Sequence, residues 1–152
     1  MTTPTLKARL RSDLTTAMKE RDELRSATLR MALTAITNEE VAGEAARELS
    51  DDEVVKVLGR EAKKRREAAE AFAGAGRAGQ AEREEAEGRV LAEYLPAPLT
   101  DDELQAMVSE AVQESGAEGP KAMGAVMKVL TPRVAGRADG SRVAAAVRSA
   151  LS

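Results

Sequence analysis

The side chains that could carry chemistry in this sequence are carboxylates, lysines, arginines, serines and a single tyrosine, because it contains no His and no Cys. General acid–base catalysis uses His most often, and nucleophilic catalysis commonly uses Cys or a Ser activated by His. The lack of Cys also removes thiolate zinc ligands and disulfides. We therefore predict no catalytic residues, no metal site and no cofactor.

Two acidic stretches could in principle hold Mg²⁺: SDDE at residues 50–53 and TDDE at residues 100–103. Both have the pattern of a capping box, in which a Ser or Thr and a Glu three residues later satisfy the first amides of a helix. Acidic residues are also stabilised in the first turn by the helix dipole. We interpret both stretches as helix starts rather than metal sites.

A run of four basic residues, KKRR at 63–66, could meet the phosphates of a nucleic acid. On a helix the same run would form ion pairs with its own neighbours, with Glu61 four residues before Arg65 and Glu67 four residues after Lys63. We favour the ion-paired surface and keep the stripe as a secondary binding candidate. Its members are Lys63, Lys64, Arg65 and Arg66.

The stretch AGRADGS, residues 135–141, allows two interpretations. It could hold a phosphate on the first amides of a helix with arginines beside them. It could instead join two helices, with Gly136 in a left-handed conformation and Asp139 or Ser141 as the cap of the next helix. A capping Asp139 would occupy the place of an anion, so we favour the joint, shaped by Gly136, Asp139 and Gly140.

Apolar residues recur at helical spacing along the whole chain, and no period-two strand pattern is present. This pattern predicts an all-α fold with an N-terminal helical bundle of about four helices, residues 1–95. Pro96 and Pro98 mark a boundary, and residues 96–152 form a small three-helix domain. Thr131-Pro132 is expected to end the sixth helix, and SGAEG at 115–119 the fifth. The predicted helices span about 5–20, 24–43, 51–74, 80–94, 101–114, 121–130 and 141–151.

The net charge of −3 is unevenly distributed. Residues 1–98 carry −2, residues 99–119 carry −6 and residues 120–152 carry +5. The balance argues against general DNA binding but permits one local basic patch. The sequence has no apolar run of about 18 residues and no apolar stretch typical of a signal peptide at its start, so we expect a cytoplasmic protein without membrane contact.

Three motifs occur in a specific order: YLP at 94–96, MGAVM at 123–127 and GRADGS at 136–141. With this order and chain length the sequence resembles the GatB/YqeY family over essentially all 152 residues. The resemblance implies an all-helical fold with an N-terminal bundle and a three-helix domain. In the amidotransferase that corrects misacylated Glu-tRNA(Gln) or Asp-tRNA(Asn), the same module forms the tail of the B subunit, where it grips the tRNA body without doing chemistry.

The resemblance thus implies a non-catalytic, translation-associated tRNA-binding module. Alternatives are an adaptor that docks a translation enzyme and an accessory of glutamine-dependent carbon–nitrogen ligase activity, under which members are often filed. An autonomous amidotransferase is least favoured, because we find neither a phosphate-binding glycine loop nor a Cys nucleophile. The implied RNA-binding residues are Lys121, Lys128, Arg133, Arg137 and Arg142.

Overall fold

The computed structural model describes residues 3–116 and 118–152, and every regular element in these ranges is a helix. The predicted all-α fold is thereby confirmed. The chain divides into two compact units, Met1–Leu95 and Pro96–Ser152. The first two residues lie outside the described part, as does Ala117 in the stretch that was predicted to end the fifth helix.

The N-terminal unit consists of four helices packed around one apolar core. They are α1 (Leu6–Lys19), α2 (Glu23–Glu40), α3 (Asp51–Gly74) and α4 (Ala78–Ala92). Leucines and branched aliphatic residues fill the core, as the near absence of aromatic residues requires. The largest fully buried apolar side chains are those of Leu10, Leu29, Ile36, Val54, Leu58 and Leu91.

Helix α3 begins at the predicted capping box, which the structure confirms. The amide of Glu53 donates to the hydroxyl of Ser50, and the amide of Ser50 donates to the carboxylate of Glu53. Arg47 donates to the same carboxylate at 2.6 Å. The hydrogen bond from Arg47, followed by that from the Ser50 amide, lowers the pKa of Glu53 to about 2.

Tyr94, just beyond α4, ties the end of this unit to α1. Its hydroxyl donates to Asp13 at 2.5 Å, and the guanidinium of Arg9 lies 4.7 Å from the centre of its ring. Burial and then the hydrogen bond to Asp13 raise the pKa of Tyr94 to about 12, because both disfavour the phenolate. The tyrosine of the YLP motif therefore has a structural role within the N-terminal unit.

The raised pKa of Tyr94 predicts a loss of stability at alkaline pH. The unfolded chain releases the phenolic proton near pH 10 and the folded chain near pH 12, so the stabilisation is complete below pH 10 and is lost as pH rises towards 12. Because the sequence has one Tyr and no Trp, phenolate absorbance reports this residue alone. We expect Asp13→Asn to bring the midpoint closer to 10, and an unshifted wild-type midpoint of 10 would contradict the assignment.

The C-terminal unit contains three helices and one short 3₁₀ helix. They are α5 (Asp101–Ser115), the 3₁₀ helix Pro120–Ala122, α6 (Met123–Val134) and α7 (Gly140–Leu151). The second predicted capping box, Thr100 with Glu103, starts α5 and is also confirmed. The core of this unit is formed by Leu99, Leu104, Val108, Ala111, Val126, Leu130, Val134, Val143 and Val147.

The prediction that Thr131-Pro132 ends the sixth helix is wrong, since α6 continues through Pro132 to Val134. Proline removes one helical hydrogen bond and strains the preceding turn. Here the last turn also buries Val134, which is 4% exposed in the core, and this burial offsets part of that cost. The helix ends at Ala135, whose left-handed φ of 48° is unusual for a residue other than Gly.

Candidate nucleic-acid interface

Arg137, in the joint between α6 and α7, is bound to the segment that leads into α5. Its Nε donates to the carbonyl oxygen of Ala97 at 2.9 Å, and its own carbonyl oxygen accepts from the amide of Leu99 at 2.9 Å. Its Nη2 lies 3.8 Å from a carboxylate oxygen of Glu103. These contacts hold the buried side chain of Leu99 beside the joint, so Arg137 has a structural role before any ligand is considered.

Arg142 and Arg133 also have acidic partners. Nη2 of Arg142, in the first turn of α7, donates to Asp101 at 2.7 Å. Arg133, in the last turn of α6, donates to Glu114, and this hydrogen bond raises the pKa of the guanidinium further above its usual range. Three of the five predicted RNA-binding residues are thus engaged by carboxylates, and all three carboxylates belong to α5.

Lys121 and Lys128 are exposed and, among residues 3–116 and 118–152, neither has a carboxylate within 4.0 Å. Lys128 is two residues from Val126 and from Leu130, both fully buried, and so lies about 200° around the helix from each. It therefore points away from the core. The two lysines remain the cations of the predicted set that can receive an anion without losing an acidic partner.

Arg148 in the last turn of α7 is a further exposed cation without an acidic partner in the described part of the chain. Arg148 is not among the cations predicted from the sequence, because the prediction followed the motifs and α7 carries none at this position. Its position on the helix could have identified it from the sequence. Arg148 lies two residues after Ala146, which faces α5, and directly after the buried Val147, so its side chain is expected on the exposed side of α7.

The three cations lie on the α6–α7 hairpin, taken together with the short 3₁₀ helix that leads into α6 and carries Lys121. Helices α6 and α7 each have 12 residues and are therefore about 18 Å long, and five residues connect them. Helix α7 also contacts the 3₁₀ helix that precedes α6. Its C-terminal part must make this contact, which brings Arg148 to the end of the hairpin that carries Lys121. We call Lys121, Lys128 and Arg148 the open cations.

Amides of the AGRADGS joint are hydrogen bonded to acceptors within α6 and the joint itself. The amide of Ala135 donates to Thr131 at 3.2 Å and that of Arg137 to Val134 at 3.0 Å. Asp139 is the N-cap of α7, as predicted, and accepts from the amide of Ser141. Its carboxylate lies where a bound anion would need the helix amides. The stretch is therefore a joint, and Gly136 with φ 78° has the expected left-handed conformation.

The secondary basic stripe on α3 does not act as one surface. Arg65 is directed towards α4, where its guanidinium lies 3.6 Å from the carboxylates of both Glu84 and Glu87. It also pairs with Glu61 at 3.5 Å, and Lys63 lies 4.0 Å from Glu67, as the spacing predicts. The other members, Lys63, Lys64 and Arg66, are exposed. The inward direction of Arg65 interrupts the stripe.

The described ranges contain neither a candidate metal site nor a candidate membrane-spanning helix. No group of three or more acidic residues there is arranged to hold a metal ion. No helix there is both long and apolar enough to cross a membrane.

The fold and the site define a two-unit helical protein whose C-terminal three-helix unit carries cations on its α6–α7 hairpin. The sequence matches the family described as Yqey-like protein over residues 7–151, nearly the whole chain, and the protein belongs to this family. The match covers both units, and the protein is accordingly a GatB-tail-like module. No curated protein matches the sequence.

Proposed function

We propose that the protein is a cytoplasmic, translation-associated module that binds the body of a tRNA through its C-terminal unit and does no chemistry on it. The observation that carries the proposal is the set of open cations, Lys121, Lys128 and Arg148, on the α6–α7 hairpin of a GatB-tail-like unit. The resemblance supplies the class of ligand, since it implies that the tail of the related amidotransferase subunit grips the tRNA body without doing chemistry.

The number of open cations sets the expected strength of binding. Each phosphate that a cation neutralises contributes about −0.7 to −0.9 to the slope of log affinity against log salt. Three contacts therefore predict an affinity that falls about 20- to 40-fold between 50 and 200 mM salt. Binding of this kind is weak and follows the shape of the RNA backbone rather than its base sequence.

Sequencing of the RNA that co-purifies with the tagged protein tests this proposal. We expect tRNA to be enriched over ribosomal and messenger RNA relative to the same protein carrying Gln at the three open cations. Recovery of the same RNA mixture with both proteins would count against the proposal.

A protein-interaction adaptor is the second candidate, and the groove between α5 and α7 favours it. Leu104 and Val108 of α5 form its apolar floor, and Ala146 and Ala150 line its other side. Small residues of this kind would let a partner helix approach closely. After nuclease treatment, a pull-down should retain a translation enzyme if the groove docks a protein, whereas the tRNA proposal predicts that nuclease removes the recovered material.

A further inference from the structure

The three arginines near the α6–α7 joint are each paired with a carboxylate, and all three carboxylates belong to α5. Arg142 is paired with Asp101 at 2.7 Å, Arg137 lies 3.8 Å from Glu103, and Arg133 is hydrogen bonded to Glu114. The partners are 41, 34 and 19 residues apart in sequence respectively, so the tertiary fold brings them together. Residues 99–119 contain six acidic residues and no basic residue.

Carboxylates pair with the charges of these arginines, but the surrounding side chains do not bury them. Their side chains keep 34%, 35% and 41% of their surface exposed for Arg142, Arg137 and Arg133 respectively. A phosphate oxygen recognises a guanidinium through the same charge-assisted hydrogen bonds as a carboxylate oxygen. An incoming phosphate must therefore compete with the carboxylate for the guanidinium donors that the carboxylate engages and for the positive charge that it neutralises.

We infer that α5 is a built-in competitor of RNA: Asp101, Glu103 and Glu114 occupy the guanidinium groups that phosphates would otherwise contact. This inference rests on the proposed tRNA binding and adds a regulation of the same site. With the carboxylates in place, the C-terminal unit presents the three open cations. When the carboxylates are displaced or neutralised, it presents six.

The chain supplies a matched pair of variants for the test. The first replaces the three pairing residues, as Asp101→Asn, Glu103→Gln and Glu114→Gln. The second replaces the other three acidic residues of the same segment, as Asp102→Asn, Glu110→Gln and Glu118→Gln. Both change the net charge by the same amount, and none of the second set lies within 4.0 Å of a basic group in the described ranges. Glu110 raises the pKa of Arg133 through its charge alone, after the larger effect of the hydrogen bond from Arg133 to Glu114, so the second variant removes a weaker interaction than the first. Gln at 103 keeps an acceptor for the capping box.

Binding of labelled tRNA by fluorescence anisotropy at about 50 mM salt gives the comparison. Surface ion pairs of this kind each change an equilibrium by about two- to threefold, so the first variant should bind about tenfold tighter than the second. Its salt slope should also be steeper by about 1, because a tenfold gain at this salt corresponds to about one further phosphate contact. Equal affinities and slopes for the two variants would overturn the inference, while binding by the wild-type protein would leave the proposed function standing.

A second measurement decides the inference even if no variant binds tRNA. The arginine Nε–H signals in NMR spectra are followed while inorganic tripolyphosphate is added to each variant. We expect the signals of Arg133, Arg137 and Arg142 to shift at lower concentration in the first variant than in the second. Shifts that coincide in both variants show that the carboxylates do not block anions, whereas selective shifts without tRNA binding support the competition and reject tRNA as the ligand.

Discussion

Replacement of Lys121, Lys128 and Arg148 by Gln is expected to weaken tRNA binding by about 100-fold or more at 50 mM salt. Each of the three exposed side chains is available to neutralise one phosphate, and the release of counterions at that salt contributes close to a factor of ten per contact. The slope of log affinity against log salt should fall by about one for each replaced cation. Anisotropy titrations at several salt concentrations measure both quantities.

A control variant separates this local effect from a general loss of positive charge. Lys19, Lys56 and Arg89 of the N-terminal unit are exposed and, in the described ranges, have no carboxylate within 4.0 Å. Their replacement by Gln changes the net charge equally and should reduce the affinity by less than about threefold, because these cations belong to the unit that the proposal does not assign to tRNA binding and so release no counterions on binding. Equal losses in both variants would show that tRNA does not bind at the open cations.

The largest effect on stability is expected for Leu130→Ala in the C-terminal unit. Leu130 is fully buried in the core formed by α5, α6 and α7. Removal of its side chain should lower the free energy of unfolding by about 2–5 kcal/mol. A unit of 57 residues has only about 3–9 kcal/mol in total, so this change should leave it largely unfolded near 37 °C. Hydrogen exchange of the α5–α7 amides measures the loss.

Two neighbouring substitutions complete that test. Leu130→Met keeps the volume of the side chain and should cost less than about 1.5 kcal/mol, and Thr131→Ala changes an exposed position and should lie within about 0.5 kcal/mol of wild type. The fluorescence of Tyr94 should be unchanged in all three variants, since this residue reports the N-terminal unit. Leu130→Ala should also lose tRNA binding although every cation is retained; full binding by this variant would place the interface elsewhere.

Local features of the fold could be predicted from the sequence because they depend on residues close together in the chain. The capping boxes at Ser50 and Thr100 and the cap at Asp139 each require only neighbours within three residues. The ion pair between Glu61 and Arg65 is similarly local, since the two residues are four positions apart on one helix. Pro132 shows the limit of this reasoning, because the burial of Val134 by other helices decides whether the last turn forms.

Whether each cation has an acidic partner could not be predicted, since this depends on contacts between helices. The sequence shows Arg133, Arg137 and Arg142 in a basic segment, and only the fold brings Glu114, Glu103 and Asp101 to them. Arg65 illustrates the same effect in the N-terminal unit, where α4 supplies two of its three partners. The motifs therefore indicate a candidate segment of the chain but not which of its positive charges remain without an acidic partner.

The most direct test of tRNA binding is a titration of labelled tRNA with the wild-type protein at 50 and 200 mM salt. The open cations predict measurable binding at 50 mM and an affinity about 20- to 40-fold lower at 200 mM. The absence of binding at 50 mM, or an affinity that does not change with salt, would contradict the account.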